Sequence, residues 1–204
     1  MARAARAQQT PDEPPAQEER DGRRLRSIDS RARIVKAMLA LIEEGDMAPG
    51  AEAVAARAEV GLRTVFRHFK DMESLYREMS DVMEAEISAF SRTPFKSTDW
   101  REKLQELVER RAFAFERITP FKRASDIHRY KSAFLDADNS RLVIALRKIL
   151  QREMPPEVLQ DAPLLEALDL LLSFESWSRL RREQGLSIKK AREVLSLAVA
   201  KVAS

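Results

Sequence analysis

The chain contains no cysteine and only two histidines, His68 and His128. A disulfide framework, a thiolate metal site and a cysteine nucleophile are thereby excluded, and zinc chemistry nearly so, because imidazole is offered at two positions alone. Glycine occurs five times and forms no glycine-rich phosphate loop. No apolar run is long enough to span a bilayer, and no hydrophobic leader follows the arginine-bearing start. A cytoplasmic protein without a membrane partner is expected. Acidic pairs such as Glu18-Glu19 and Glu43-Glu44 are adjacent, so on a helix they diverge by about 100° instead of converging on a substrate. No catalytic constellation stands out among the carboxylates, lysines and two histidines, so neither an enzyme nor a cofactor is expected.

What is present suffices for a core: 44% of the 204 residues are hydrophobic. The formal net charge of +3 is small, so the distribution of charge has to carry any argument about nucleic acid. Residues 20–36 hold Arg20, Arg23, Arg24, Arg26, Arg31, Arg33 and Lys36 against Asp21 and Asp29. A basic arm of this kind can track phosphates or enter the minor groove; for Arg20 to Arg26 a merely solubilising tail is an equal alternative. Met1 to Glu19, with Pro11, Pro14 and Pro15, forms no apolar face and is expected to be disordered.

From Ser30 onward the periodicity is helical, and no strand pattern competes. Ile34, Met38 and Leu41 alternate with Val35, Leu39 and Ile42 before Gly45 and Pro49 end the first helix. Asp71 caps a fourth helix carrying Leu75, Met79, Met83, Ile87 and Phe90 until Pro94. Later helices are expected over 99–118, 120–134, 139–154, 162–184 and 187–203. The fold class is all-α, divided into a disordered basic arm (1–26), a helix-turn-helix domain (27–70) and a helical effector-binding and dimerisation domain (71–204).

Between the first and fourth helices lies the most informative segment, 51–76. A short alanine-rich helix is followed by a break at Glu59, Val60 and Gly61. Leu62, Val65, Phe66 and Phe69 then recur at three- and four-residue steps on a second helix. Leu62, Val65 and Phe69 are expected to pack against Ile34, Met38 and Val54. Arg63, Thr64, Arg67, His68 and Lys70 fall largely off that face, which suits a helix entering the major groove. Arg63 and Arg67 can grip guanine bidentately, Thr64 can meet phosphate or a thymine methyl, Phe66 sugar or methyl groups, and Lys70 phosphate.

The run from Arg33 through Tyr76, and TVFRHFKDMESLY at 64–76 above all, resembles the DNA-binding domain of the TetR family of bacterial transcriptional regulators. Glu59 stands where that family usually has glycine, Gly61 where it has serine or threonine, Met72 where it has a phosphate-contacting lysine, and Phe66 where tyrosine is common. A non-glycine residue in a left-handed turn costs about 1 kcal/mol, and Gly61 caps without a side-chain acceptor. The resemblance implies a repressor that binds a near-palindromic operator in double-stranded DNA as a homodimer and is released by an unidentified small-molecule effector. The competing reading is a helical protein-binding adaptor with a degenerate helix-turn-helix. Arg31 and Arg33, at the start of the first helix, join the expected DNA contacts by position.

The resemblance also implies dimerisation through the last two long helices. In the final one Ile188, Ala191, Leu195, Ala198 and Val202 form an apolar stripe, and its predecessor offers Leu168 and Leu172; burial inside a monomer is the alternative. Two-fold symmetry places two recognition helices one DNA turn apart, roughly 34–36 Å, or a multiple of it. The resemblance places an effector pocket between Met79 and Trp177. Its candidate lining comprises Met79, Met83, Trp100, Leu104, Leu107, Phe115, His128, Phe174 and Trp177, for which core packing is the competing role. Arg111 interrupts an apolar stripe, so it pairs with a carboxylate such as Glu175 or meets an anionic ligand.

Overall fold

The computed structural model describes the backbone of residues 16–204 and the side chains of 24–85 and 92–204. The expected disorder of the first fifteen residues, and the side chains of Arg20 and Arg23, lie outside these. Among the described residues the chain is all-helical: α1 (Ala16–Glu43), α2 (Ala51–Arg57), α3 (Leu62–His68), α4 (Met72–Ser91), α5 (Trp100–Arg129), α6 (Ala133–Glu153), α7 (Pro156–Gln160), α8 (Ala162–Leu171), α9 (Phe174–Ser178), a wide π turn (Arg179–Glu183) and α10 (Ile188–Val202). No helix among them is long and apolar enough to cross a membrane.

Side-chain caps start most of the longer helices. Asp71 accepts from the Ser74 amide at 2.8 Å, Asp99 from Arg101 and Glu102 at 2.9 and 3.0 Å, Ser132 from Leu135 at 3.2 Å, and Ser187 from Lys190 at 3.2 Å. Each satisfies amides that no helical carbonyl can reach, a contribution of about 1 kcal/mol apiece. One continuous core runs from Ile34, Met38 and Ile42 of α1 through Val65 and Phe69 of the α3 region to Val199 of α10.

Several boundaries differ from expectation; α6 begins at Ala133, capped by Ser132, and not at 139, and α7 falls outside the expected helices. α1 begins at Ala16, so residues 16–26 continue the first helix instead of forming an arm. Residues 100–129 form one helix with Pro120 inside it, not two. An interior proline costs about 3 kcal/mol, but α5 packs against α1, α4, α6, α9 and α10 and buries Leu104, Leu107, Val108, Phe115, Ile118 and Phe121. Burial on both sides of the proline outweighs the lost hydrogen bond. The expected helix 162–184 is broken after α8: Ser173 turns its hydroxyl to the Ser176 amide at 3.1 Å, and the Ser176 hydroxyl donates to the Leu170 carbonyl at 2.6 Å. Hydroxyls that bind nearby backbone compete with helix continuation.

The central position of α5 has a measurable consequence. Phe115→Ala removes a ring that is 2% exposed and edge-on to Phe174 at 5.5 Å, and is expected to cost about 3–5 kcal/mol in urea denaturation. Ile144→Ala, at a side chain 52% exposed, is expected to change stability by less than about 1 kcal/mol.

Candidate nucleic-acid interface

α2 and α3 meet at a turn whose geometry follows from three consecutive hydrogen-bond decisions. Ala58 closes α2; the Glu59 amide then bonds the Ala56 carbonyl at 3.2 Å and the Val60 amide the Ala55 carbonyl at 3.0 Å. This is the Schellman pattern, which requires a left-handed residue just beyond the helix. Glu59 takes that role with φ +53°, the only non-glycine residue with positive φ among those described. Gly61 follows in extended conformation and caps α3 without a side-chain acceptor. From α1, Arg33 donates to the Ala58 carbonyl and, at 3.2 Å, to the Glu59 carbonyl. Arg33 therefore braces the turn from α1.

Arg31 is committed in the same way. Its Nε and NH2 form a fork on the Glu78 carboxylate at 3.0 and 2.6 Å, its NH1 donates to the His68 carbonyl at 2.8 Å, and its guanidinium lies 4.4 Å from the centre of the Phe69 ring. Hydrogen bonding to Arg31 holds the Glu78 carboxyl below its usual range. Three elements, α1, the end of α3 and α4, are thus pinned by one side chain. Arg31 thus has intramolecular partners at the end of α3 and on α4.

On α3 itself the two faces separate cleanly. Val65 and Phe69, 1% and 2% exposed, join the core as expected. Leu62 does not: in the first turn of α3 it is 38% exposed, with Phe66 one turn on at 49%. Arg63, Arg67 and Lys70 are exposed and Thr64 is half-buried. None of the three cations donates to an acceptor among the described residues. His68 departs from expectation. It is half-buried, its Nε2 is shielded without a partner, and desolvation, followed by repulsion from Arg67 and Arg31, lowers its pKa. A neutral, inward imidazole offers little to a phosphate.

α1 adds further positive charge. Arg24 and Arg26 are exposed, and they precede the Arg31 contact by up to about 10 Å of helix.

The expected ligand-lining residues are mostly core. Met79, Leu104, Leu107, Phe115 and Trp177 are at most 2% exposed, and Met83 is buried. Trp100 lies beneath the Arg101 guanidinium at 4.1 Å, His128 tilts against Tyr76 at 5.2 Å, and the Trp177 indole donates to Glu116 at 2.9 Å. Only Arg111, Phe174 and Glu175 of that set line a cleft between α5, α6 and the α8–α9 break, together with Lys122, Asn139 and Leu146. The expected pairing of Arg111 with Glu175 is absent. Glu175 is exposed, whereas Arg111 donates to the carbonyls of Leu172 and, at 2.8 Å, of Leu146. Sequence reading missed Lys122 and Asn139. A signal existed for Lys122, which lies eleven residues from Arg111 and so about 20° from it around one helix, but only if that helix continues through Pro120. Two larger grooves are open surface features. One of about 640 Å³ beside residues 92–98 is lined by Arg92, Lys103, Arg152 and Glu153, with Lys103 on Glu153 at 3.0 Å and Arg152 on Glu153 at 2.8 Å. The other, about 480 Å³, separates α5 from α10 and includes Leu104.

Of the expected dimer residues, Leu168, Leu172, Ala191 and Leu195 are buried within the protomer, while Ile188 and Val202 are exposed and Ala198 is half-buried. α8 and α10 pack on each other, and α10 also packs on α5. Their outer faces carry Leu170, Val194 and Leu197, exposed by 66%, 42% and 62%.

The architecture is thus an all-α fold with a helix-turn-helix held on a helical bundle. It is similar to that of a candidate TetR-family transcriptional regulator from Mesorhizobium loti MAFF303099, with a TM-score of 0.57 over 87% of this chain and 96% of the other, at 18% identity. No protein-family model and no curated protein sequence matches the chain.

The strained turn yields a prediction of its own. Glu59→Gly relieves a left-handed side chain at the small loss of an exposed 3.9 Å contact with Arg33, and is expected to raise stability by about 0.5–1 kcal/mol. A shift of the urea midpoint upward with unchanged slope is the readout.

Proposed function

We propose that the protein is a sequence-specific DNA-binding transcriptional regulator of the TetR type, acting as a homodimer. The observation that carries this reading is the outer face of α3: Arg63, Phe66 and Arg67 are exposed together while the opposite face is fixed in the core. An arginine fork, an apolar ring and a second arginine on a rigid helix are the groups that read base edges and thymine methyls in a major groove. Thr64 and Lys70 supply phosphate contacts, and Arg24 and Arg26 add salt-dependent affinity. Repression, with release by a small-molecule effector, is the regulatory mode of this reading. An effector would act by favouring a bundle state in which α4 carries the two α3 helices out of register with successive grooves.

The structure also has links through which such a shift can travel. α4 meets α5 through Tyr76 and His128, and meets α6 through the Arg77 guanidinium 3.7 Å from the Phe134 ring centre. At its other side α4 holds Arg31, and through it the end of α3.

The dimer face of this reading is the outer sides of α8 and α10, supported by the exposure of Leu170, Val194 and Leu197, since Leu168, Leu172, Ala191 and Leu195 are buried within the protomer. Exposed leucines on two adjacent helices bury in a second copy at about 25 cal/mol per Å². Leu197→Glu is expected to convert a dimer to a monomer in sedimentation velocity at micromolar concentration. A wild-type protein that sediments as a monomer contradicts the dimer.

DNA reading is tested by fluorescence anisotropy against duplexes tiled from the flanks of the protein's own gene, with excess nonspecific competitor. One tile is expected to bind tightly, and Arg67→Ala to weaken it by 1–3 kcal/mol, about 5- to 150-fold. Equal weak binding to all tiles, unaffected by the substitution, favours the adaptor reading, for which exposed Leu62 and Phe66 would form the protein-binding face.

A further inference from the structure

Arg111 is the most anomalous side chain in the bundle. It is 5% exposed, on a stripe of α5 that otherwise buries Leu104, Leu107, Phe115 and Ile118. Two of its nitrogens are satisfied by carbonyls, those of Leu172 and Leu146, but carbonyl dipoles do not neutralise a charge. The carboxylate that acts on it electrostatically, Asp169, is already held by Arg147 at 3.0 Å. Its Nε is buried with no acceptor. Desolvation lowers its pKa to about 10, so it remains a cation at neutral pH. A buried cation with a vacant donor and no dedicated counter-ion is costly to keep, and calls for an anion from outside.

The surroundings define which anion. The cleft beside Arg111 measures about 40 Å³, room for roughly three water-sized groups. That matches the three heavy atoms of a carboxylate head, and is far below the roughly 300–1,000 Å³ that a whole enclosed ligand occupies. Only one positive charge is uncompensated, since the Lys122 ammonium in the same cleft is paired with Asp126 at 2.5 Å. Asp169 and Glu175 on the cleft lining disfavour a dianion such as phosphate. Asn139 contributes a second orphan, its buried Oδ1 lacking a donor. Turning that amide about its last torsion presents an N–H to a carboxylate instead. Leu142, Val143 and Phe174 complete the walls, and Val143, 45% exposed, puts an apolar edge toward solvent.

We infer that this cleft binds the carboxylate head of a small monocarboxylic acid, with Arg111 Nε and the Asn139 amide as donors and an aliphatic or aromatic tail lying along Val143 and Leu142. The head would bridge α5 and α6 beside the α8–α9 break. Such a ligand is an effector only if the regulator reading holds, because α6 begins next to Phe134, on which Arg77 of α4 rests; the binding itself depends on neither DNA nor dimerisation.

The test is a thermal-shift and calorimetric titration of the full chain, without DNA, with sodium butyrate, hexanoate, octanoate and benzoate at constant ionic strength. The matching neutral amides run in parallel. At least one carboxylate is expected to raise Tm saturably while its amide does not, and Asn139→Leu and Arg111→Met are each expected to weaken it tenfold or more. Asn139 is half-buried on α6, so its variant keeps the test decisive if Arg111→Met fails to fold. No carboxylate outperforming its amide, or an Asn139→Leu protein that binds as wild type does, overturns the inference. Because DNA is absent from the assay, failure here leaves the DNA-binding reading standing, and failure of operator binding leaves this one standing.

Discussion

The placement of α3 depends on the fork between Arg31 and Glu78, because α3 is too short to hold itself. Seven residues make under two turns, and an isolated helix of that length is not stable in water. It is fixed on one side by burial of Val65 and Phe69, and at its end by Arg31, which ties the His68 carbonyl to α1 and α4 together. The ion pair is partly exposed, with side chains 40% and 34% accessible, so its energy is modest. Its importance is geometric: a two-pronged guanidinium–carboxylate contact restricts both distance and orientation. Any displacement of α4 must either drag α3 along or break this contact.

The same economy governs the turn. Glu59 accepts a left-handed backbone that glycine adopts freely, and Gly61 starts α3 with no side chain to bind its amides. Arg33 compensates in part by donating to two carbonyls of the turn from α1. Two arginines expected by position to contact DNA thus also bond within the protein around the turn and the end of α3, while Arg63 and Arg67 make no such bonds among the described residues. The exposed face of α3 is small and is presented on a scaffold whose other face is core.

How much of this was legible in the sequence depends on the range of the interaction. The helix-turn-helix was, since three- and four-residue spacing of Val65 and Phe69 and the cap at Asp71 are local. The partners of Arg31 and Arg33 were not, because they lie 37 and 47, and 25 and 26, residues away. Pro120 signals a helix end locally, yet α5 is buried along both halves and continues through it. The apolar stripe of α10 is buried only at its centre: Ala191 and Leu195 are covered by α5 and α8 inside the protomer, while Ile188 and Val202 at its ends are exposed, a division that periodicity alone does not show. Arg111 was visible as a charge in an apolar stripe. Its carbonyl partners were not, because they exist only where the α8–α9 break and α6 come together.

The central claim is that α3 reads DNA sequence as one half of a symmetric pair. In vitro selection from a pool of randomised duplexes, with sequencing of the bound fraction, addresses it most directly. The account predicts enrichment of a near-palindrome whose half-sites are separated by one helical turn, about 10–10.5 base pairs, or a multiple of it. Recovery of the pool without an enriched sequence would contradict it.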